Sequence, residues 1–123
     1  MLNNRQQYGR SSESTAADFL KRNGYRILAR NYRTRLGEID IIAKDGQTIV
    51  FVEVKARRSN RYGPAKAAVT PTKQRKISMV ALQYLKEARL TDTSARFDVV
   101  AIYNRDNRSR IEIIKNAFEL AYA

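Results

Sequence analysis

A hairpin signal in the first half of the chain does most to limit the fold. Residues 38–44 and 48–57 are rich in Ile, Val and Phe, and Asp45-Gly46 stands between them. At the period of a β-strand, the second segment has an apolar face formed by Val50, Val52, Val54 and Ala56. Asp-Gly between two such segments is typical of the tight turn that joins antiparallel strands. We therefore predict a β-hairpin over residues 38–57.

The rest of the chain predicts one α/β domain with a mixed sheet. Its 123 residues suit a single domain over 1–123. Apolar stripes indicate a helix over 11–23, capped by Ser11 or Ser12, and a second helix that begins at Thr70-Pro71. The other predicted segments are strands over 25–32, 97–103 and 110–115, a basic loop over 59–69 and a short helix over 116–123. The predicted element order is α-β-β-β-α-β-β.

Two absences restrict the chemistry that this chain can perform. It has no Cys and no His, which excludes Cys/His zinc sites, disulfides, Cys nucleophiles and every His-based acid–base scheme. Carboxylates, Lys, Arg, hydroxyl groups and a hard metal ion remain, and we expect no organic cofactor.

No apolar run is long enough to span a membrane, and residues 1–14 lack the apolar stretch of a signal peptide. We therefore expect a cytoplasmic protein without a membrane partner.

Basic residues are concentrated in two segments that contain no acid. The formal net charge is +12, and residues 19–37 and 54–86 hold six and nine Lys or Arg respectively. Such segregation favours a polyanionic partner, most often nucleic acid, over a merely solubilising surface. The predicted nucleic-acid contacts are Arg33, Arg35, Arg57, Arg58, Arg61, Tyr62, Lys66, Lys73 and Lys76.

Acidic residues and one lysine share a face of the predicted hairpin. A two-residue turn at Asp45-Gly46 pairs residues whose numbers sum to 91, which puts Glu38 opposite Glu53 and Asp40 diagonal to Glu53. Lys55 lies on the same face. Because facing like charges destabilise a sheet, the cluster needs either Lys55 as a salt-bridge partner or a bound Mg²⁺ or Mn²⁺. We favour the metal, since these acids lie on otherwise apolar strands and metal-held carboxylates with a nearby lysine suit phosphodiester hydrolysis.

The same residues resemble a nuclease signature. Gly37-Glu-Ile-Asp40 followed by Glu53-Val-Lys55 is similar to the motif of the PD-(D/E)XK superfamily, which includes restriction-endonuclease-like enzymes. The ordered segments 37–42, 51–57, 73–77 and 96–100 together resemble the YraN-like family of uncharacterised bacterial proteins. This resemblance covers nearly the whole chain.

The resemblance implies a restriction-endonuclease-like αβββαβ core, with a mixed central sheet flanked by helices, and cleavage of phosphodiesters with Mg²⁺ or Mn²⁺. The outline is also similar to archaeal Holliday-junction resolvases, which add an acid on their first helix. Carried over by motif, the site comprises Glu13 as the helix-one acid, Asp40 and Glu53 as metal ligands, the Val54 carbonyl as a third ligand and Lys55 as the catalytic lysine. Glu38 is a further candidate ligand.

We therefore expect a nucleic-acid-binding, divalent-metal-dependent endonuclease that acts on DNA rather than RNA, with branched DNA in recombination or repair suggested by the resolvases. Two alternatives stay open: a nucleic-acid-binding protein of nuclease fold without efficient cleavage, and a basic RNA-associated protein with a structural carboxylate cluster. Arg96 and Asp98 are interpreted as a structural ion pair and Tyr84 as a core residue. The sequence leaves the oligomeric state open, a homodimer included.

Overall fold

The computed structural model describes residues 4–57, 69–105 and 108–119. Within these ranges the elements follow one another in the predicted order: α1 (Asn4–Arg22), β1 (Arg26–Thr34), β2 (Gly37–Asp45), β3 (Thr48–Arg57), α2 (Pro71–Glu87), β4 (Ala95–Arg105) and β5 (Arg108–Phe118). Neither of these two helices is long and apolar enough to cross a membrane.

The five strands form one mixed sheet in the order β1-β2-β3-β4-β5. Neighbouring strands are antiparallel except β3 and β4, which are parallel and are separated in the chain by α2. A parallel pair needs a crossover connection, and α2 is the helix in this one. The mixed sheet flanked by two helices confirms the α/β class and is consistent with a restriction-endonuclease-like core.

Each helix covers one face of the sheet, and the alternation of β3 decides which side chains it meets. On one face Ala16, Ala17 and Leu20 of α1 pack against Val50 and Val52. On the other face the stripe of α2 packs against Ile49 and Phe51, and that stripe consists of Ile77, Val80, Ala81 and Leu85. Successive residues of a strand point to opposite faces, so Glu53 and Lys55 continue the face that α2 covers.

The predicted hairpin is present, but its predicted register is wrong. Asp45 pairs with Thr48, and Ile42 with Phe51, so that paired residue numbers sum to 93. The two loop residues are Gly46 and Gln47, and Gly46 has φ +60. Glycine with positive φ at the first loop position matches a type II′ turn, which moves the turn one residue along the chain. The sum of paired residue numbers differs by two from the predicted sum. Because side chains alternate with a period of two, the paired residues still place the same side chains on the same face.

Apart from β3, the strands are longer than predicted or shifted by a few residues, the start of α1 and the segment after 115 differ most from prediction, and the start of α2 is confirmed. Helix α1 begins at Asn4, and Ser12 is buried within it rather than acting as its cap. The predicted helix over 116–123 is wrong as far as Phe118, because β5 extends there and the Phe118 ring stacks on Phe97 at 4.7 Å. Thr70 caps α2 by accepting a hydrogen bond from the Lys73 amide, with Pro71 as the first helical residue. Most of the predicted loop over 59–69 lies outside the described residues.

Candidate metal and nucleic-acid site

Strands β2 and β3 stop pairing at the point where the site begins. Their ladder runs from Asp45 and Thr48 to Ile41 and Val52. Beyond it the Asp40 carboxylate, through Oδ2, accepts a hydrogen bond from the Val54 amide at 2.8 Å. A side chain thus takes the place of the backbone carbonyl that a continued ladder would offer to this amide.

Next to this gap, strand β2 departs from the regular alternation of its side chains between the two faces of the sheet. Ile39 and Ile42 are three residues apart, yet both are buried in the cluster that packs against α2, whereas regular alternation would place them on opposite faces. Asn31 of β1 lies opposite Asp40, and its φ of +53 is in the left-handed region. Strand β2 is therefore irregular around Asp40, and this irregularity directs its carboxylate between the two strands.

Three carboxylates converge at this gap. One carboxylate oxygen each from Glu13, Glu38 and Asp40 lies within 4.8 Å of the other two. Glu13 comes from α1, and the other two come from β2. The packing of α1 therefore brings Glu13, the helix-one acid that the resemblance implies, next to Glu38 and Asp40.

Glu53 supplies a fourth carboxylate, and two lysines hold it. The Glu53 side chain is only 8% exposed, and its Oε1 lies 3.4 Å from Nζ of Lys55. The same oxygen forms an ion pair with Nζ of Lys73, from the first turn of α2. Lys73 was predicted as a nucleic-acid contact, and its ion pair with Glu53 was not predicted from the sequence.

The electrostatics of the cluster show an excess of negative charge at Asp40. Burial raises the pKa of Asp40 to about 7, and the charges of Glu53 and Glu13 act in the same direction. The amide of Val54 and the ammonium of Lys73 oppose that rise in pKa without cancelling it. At neutral pH the metal-free protein therefore holds a proton on Asp40 in a substantial fraction of molecules.

The two lysines respond to their surroundings in opposite directions. Burial lowers the pKa of Lys55, and the neighbouring Lys73 lowers it further, while Glu53 acts against both. Burial also acts to lower the pKa of Lys73, but its hydrogen bond to Glu53 and the Glu53 charge outweigh burial and leave the pKa raised. Lys73 is thus the more firmly paired cation, and Lys55 is the one whose charge is least stabilised.

The donor set fits a hard divalent cation. The structure brings Glu13, Glu38 and Asp40 close enough to share one cation, and their donor atoms are carboxylate oxygens, as Mg²⁺ and Mn²⁺ prefer. Glu53, on the neighbouring strand, lies outside this group, although its charge acts on Asp40. The N–H and C=O of one strand residue point to the same neighbouring strand, so the Val54 carbonyl faces β2 together with its amide. Four carboxylates face two lysines and Arg33, which pairs with Glu38, so the cluster keeps an excess of negative charge that a bound cation would offset.

Of the predicted nucleic-acid contacts, Arg33 and Lys73 lie against this cluster. Arg33 lies 3.3 Å from Glu38 with its side chain 75% exposed, and Arg35 and Lys76 are also exposed. Arg57 is half-buried, and its Nε is buried with no hydrogen-bond partner in the described part of the chain. The other predicted contacts lie outside the described residues: Arg58, Arg61, Tyr62 and Lys66.

Two structural interpretations from the sequence are confirmed. Nε of Arg96 lies 3.0 Å from Oδ1 of Asp98, whose side chain is fully buried. The Tyr84 ring packs edge-on against Tyr32 and Phe51, with centroid distances of 5.3 and 6.0 Å. These residues stabilise the fold through contacts with residues that do not belong to the carboxylate cluster.

Comparison with known proteins identifies close relatives over nearly the full chain. The sequence model of the uncharacterised protein family UPF0102 matches residues 12–102. The chain is 58% identical over 114 residues to a UPF0102 protein of Syntrophus aciditrophicus, covering 93% of this chain and 90% of the relative. It is 56% identical over 119 residues to a UPF0102 protein of Desulfosudis oleivorans, covering 97% and 95% respectively. The solved structure of SSO0001 is similar over 91% of this chain and 52% of its own, with 14% identity and a TM-score of 0.35, which is too distant a likeness to be informative.

Proposed function

The chain belongs to the uncharacterised protein family UPF0102, and we propose that it is a nucleic-acid-binding, divalent-metal-dependent endonuclease that acts on DNA. The observation that carries the proposal is the set of four carboxylates and two lysines gathered where β2 and β3 separate. A protein that only binds nucleic acid has no need to gather this many acids, one of them buried, beside a basic surface.

The residues present can hold the metal ion that such a reaction requires. Asp40, Glu53 and the carbonyl of Val54 are the proposed ligands, with Glu38 within reach of Asp40. When Mg²⁺ or Mn²⁺ is bound, it supplies Lewis acidity toward the phosphodiester.

The remaining chemistry falls to side chains of this protein. The ammonium of Lys55 lies beside Glu53 and can stabilise negative charge that develops on a scissile phosphate. Glu13, which approaches from α1, can accept a hydrogen bond from a water molecule next to Asp40. The exposed Arg33, Arg35 and Lys76 can contact backbone phosphates of DNA.

Cleavage assays test the activity itself. We expect Mg²⁺- or Mn²⁺-dependent cleavage of at least one member of a panel of linear, flapped, single-stranded and four-way DNA, and little cleavage of RNA. Asp40→Ala and Glu53→Ala should abolish it, whereas Asp92→Ala, which removes an exposed acid outside the cluster, should not. Salt-sensitive DNA binding without cleavage of any substrate would instead support a binding protein of nuclease fold.

Metal binding can be tested separately from activity. A ligand that binds only the folded state stabilises it by about 2.7 kcal/mol at a hundred times its dissociation constant. Mn²⁺ should therefore raise the melting temperature of the wild type and of Asp92→Ala, and much less that of Asp40→Ala or Glu53→Ala. An equal rise in all four proteins would place the metal elsewhere.

A further inference from the structure

We propose that Lys73 couples metal binding to nucleic-acid binding: it holds Glu53 when the site has no cation, and it contacts a DNA phosphate when a cation takes its place. The inference rests on the proposed function and adds a role that its mechanism does not use. It concerns an ion pair between α2 and β3, two elements that carry different parts of the site.

The first step is the crowding at one carboxylate oxygen. Nζ of Lys55 and Nζ of Lys73 both contact Oε1 of Glu53. A carboxylate that is 8% exposed needs a cation or hydrogen-bond donors, and these two ammonium groups supply them. A divalent cation at Glu53 would bring a third positive group to the same place, so at least one ammonium has to move away.

In the second step, Lys73, rather than Lys55, is the lysine that moves away from Glu53. Lys55 lies on β3 two residues from Glu53, and its side chain is 25% exposed. Lys73 reaches Glu53 from α2, and its side chain is 40% exposed. The long, flexible side chain of Lys73 can therefore turn toward solvent without leaving a charge buried.

The third step concerns the partner that Lys73 meets after release. The first turn of α2 contains no acidic residue, and Arg75 and Lys76 follow Lys73 within one helical turn. The amides of a helix N-terminus and these basic side chains all favour an anion. A backbone phosphate of DNA bound at the carboxylate site is the anion that the proposed function brings there.

The consequence is reciprocal coupling between the two ligands. If the metal releases Lys73 and DNA then uses it, each ligand raises the affinity of the other by the same factor. In a variant without the Lys73 ammonium, the ion pair between Lys73 and Glu53 does not have to be broken before a metal ion binds. The metal then binds more strongly to the free protein, and the part of the coupling that depends on Lys73 is lost.

The experiment measures Mn²⁺ affinity by titration calorimetry on the free protein and on the protein saturated with a short DNA duplex, with a gel to verify that the DNA stays intact. Lys73→Met should bind Mn²⁺ about five-fold more tightly than the wild type in the absence of DNA, and DNA should tighten its Mn²⁺ binding less than it does in the wild type. Lys76→Met is the matched control, since it removes an exposed charge one turn further along α2. It should weaken DNA binding and leave Mn²⁺ affinity as in the wild type.

The outcomes separate this inference from the proposed function. Absence of Mn²⁺ binding to the wild type contradicts both. Mn²⁺ binding that Asp40→Ala abolishes, with equal affinity in Lys73→Met and Lys76→Met, contradicts the inference alone. If Lys73→Met does not fold, Lys73→Arg tests the inference with the opposite expected change. The guanidinium can pair with Glu53 through two hydrogen bonds. Mn²⁺ should therefore bind this variant more weakly than it binds the wild type. Unchanged affinity in that variant also contradicts the inference.

Discussion

Two aspartates of this protein occupy similar places in the backbone and very different electrostatic surroundings. Asp98 of β4 accepts a hydrogen bond from the Asn116 amide at 3.0 Å, next to a register shift between β4 and β5. Asp40 of β2 accepts one from the Val54 amide at 2.8 Å, just beyond the last pair of the β2–β3 ladder. In both cases an aspartate satisfies an amide that the sheet leaves unpaired.

The partners of Asp98 balance its charge. Arg96 pairs with it and also reaches Asp45 at 2.7 Å, and the Tyr25 hydroxyl donates to Asp98 at 3.1 Å. Burial, followed by the Asp98 charge, raises the pKa of Tyr25 to about 12, so this hydroxyl remains a donor at any physiological pH. A buried carboxylate with a guanidinium and two further donors is a closed structural network.

The partners of Asp40 do the opposite. Glu13 and Glu38 lie beside it, and Glu53 adds its charge to the effect of burial on the Asp40 pKa. The contrast separates two ion clusters: the partners of Asp98 balance its charge, whereas the carboxylates around Asp40 carry an excess of negative charge that a proton or a bound cation would relieve. Three variants test the contrast, in order of their expected effect on the free energy of unfolding.

Removal of the balancing cation of the first cluster should have the largest effect. Arg96→Met leaves Asp98 buried without its counter-ion, and loss of one partner of a buried pair costs about 3–5 kcal/mol. Urea denaturation of the metal-free protein measures this loss. Arg26→Met, an exposed arginine on β1, should change stability by no more than about 0.5 kcal/mol. A loss below about 1 kcal/mol for Arg96→Met would mean that the Asp98 network is not a closed one.

The first cluster could be inferred from sequence far better than the second. Arg96 and Asp98 are two residues apart on one strand, so the period of a strand puts them on the same face. For the second cluster, Glu13 was assigned to the first helix through the family resemblance, and the alternation of β3 was predicted correctly. The turn position and the regular alternation of β2 around Asp40 were not. Turn position depends on which loop residue takes the positive φ, and Asp45-Gly46-Gln47 allows more than one choice.

Two parts of the second cluster had no local sequence signal. The change of face around Asp40 depends on the fit of Ile39 and Ile42 under α2, which is a tertiary effect. The Lys73–Glu53 ion pair joins residues 20 positions apart through the crossover from β3 to α2, and no periodicity specifies that distance. Helical periodicity predicted which face of α2 is buried, whereas the placement of its first turn over Glu53 required the assembled sheet.

The second variant, Asp40→Asn, should stabilise the metal-free protein in a pH-dependent way. The pKa of Asp40 is about 7 in the folded protein, above the ordinary value of 3.8. Between these values the folded state binds more protons than the unfolded state, so this residue makes stability fall as pH rises from about 4 to about 7. Asn keeps an oxygen that can accept from the Val54 amide and carries no charge beside Glu13, Glu53 and Glu38.

Asp40→Asn should therefore exceed the wild type in stability by about 1–3 kcal/mol near pH 8, and the difference should vanish near pH 4. Urea denaturation at several pH values in the presence of a chelator measures it. Asp92→Asn, at an exposed position, should follow the wild type at each pH. A variant that is less stable than the wild type at pH 8 would show that the negative charge of Asp40 is compensated and that the second cluster resembles the first.

The third variant, Lys55→Met, should have the smallest effect on stability and a large effect on function. Lys73 remains paired with Glu53 when Lys55 is lost, so the buried carboxylate keeps a cation. Met also retains much of the aliphatic stem, and we expect a change in the free energy of unfolding below about 1 kcal/mol. Under the proposed function, the variant removes a charge that stabilises the transition state, and such a charge is worth about 3 kcal/mol, or roughly a hundredfold in cleavage rate.

Three measurements on the same protein decide this case: cleavage rate, urea denaturation and Mn²⁺ affinity. Lys86→Met, an exposed lysine in the last turn of α2, is the control and should match the wild type in all three. A protein that loses several kcal/mol on Lys55→Met would need Lys55 as a counter-ion for Glu53, and Lys73 alone would not suffice. If the wild type cleaves DNA and Lys55→Met retains its full rate, then the lysine that acts in the reaction is another one, and Lys73, on the same carboxylate oxygen, becomes the first to test.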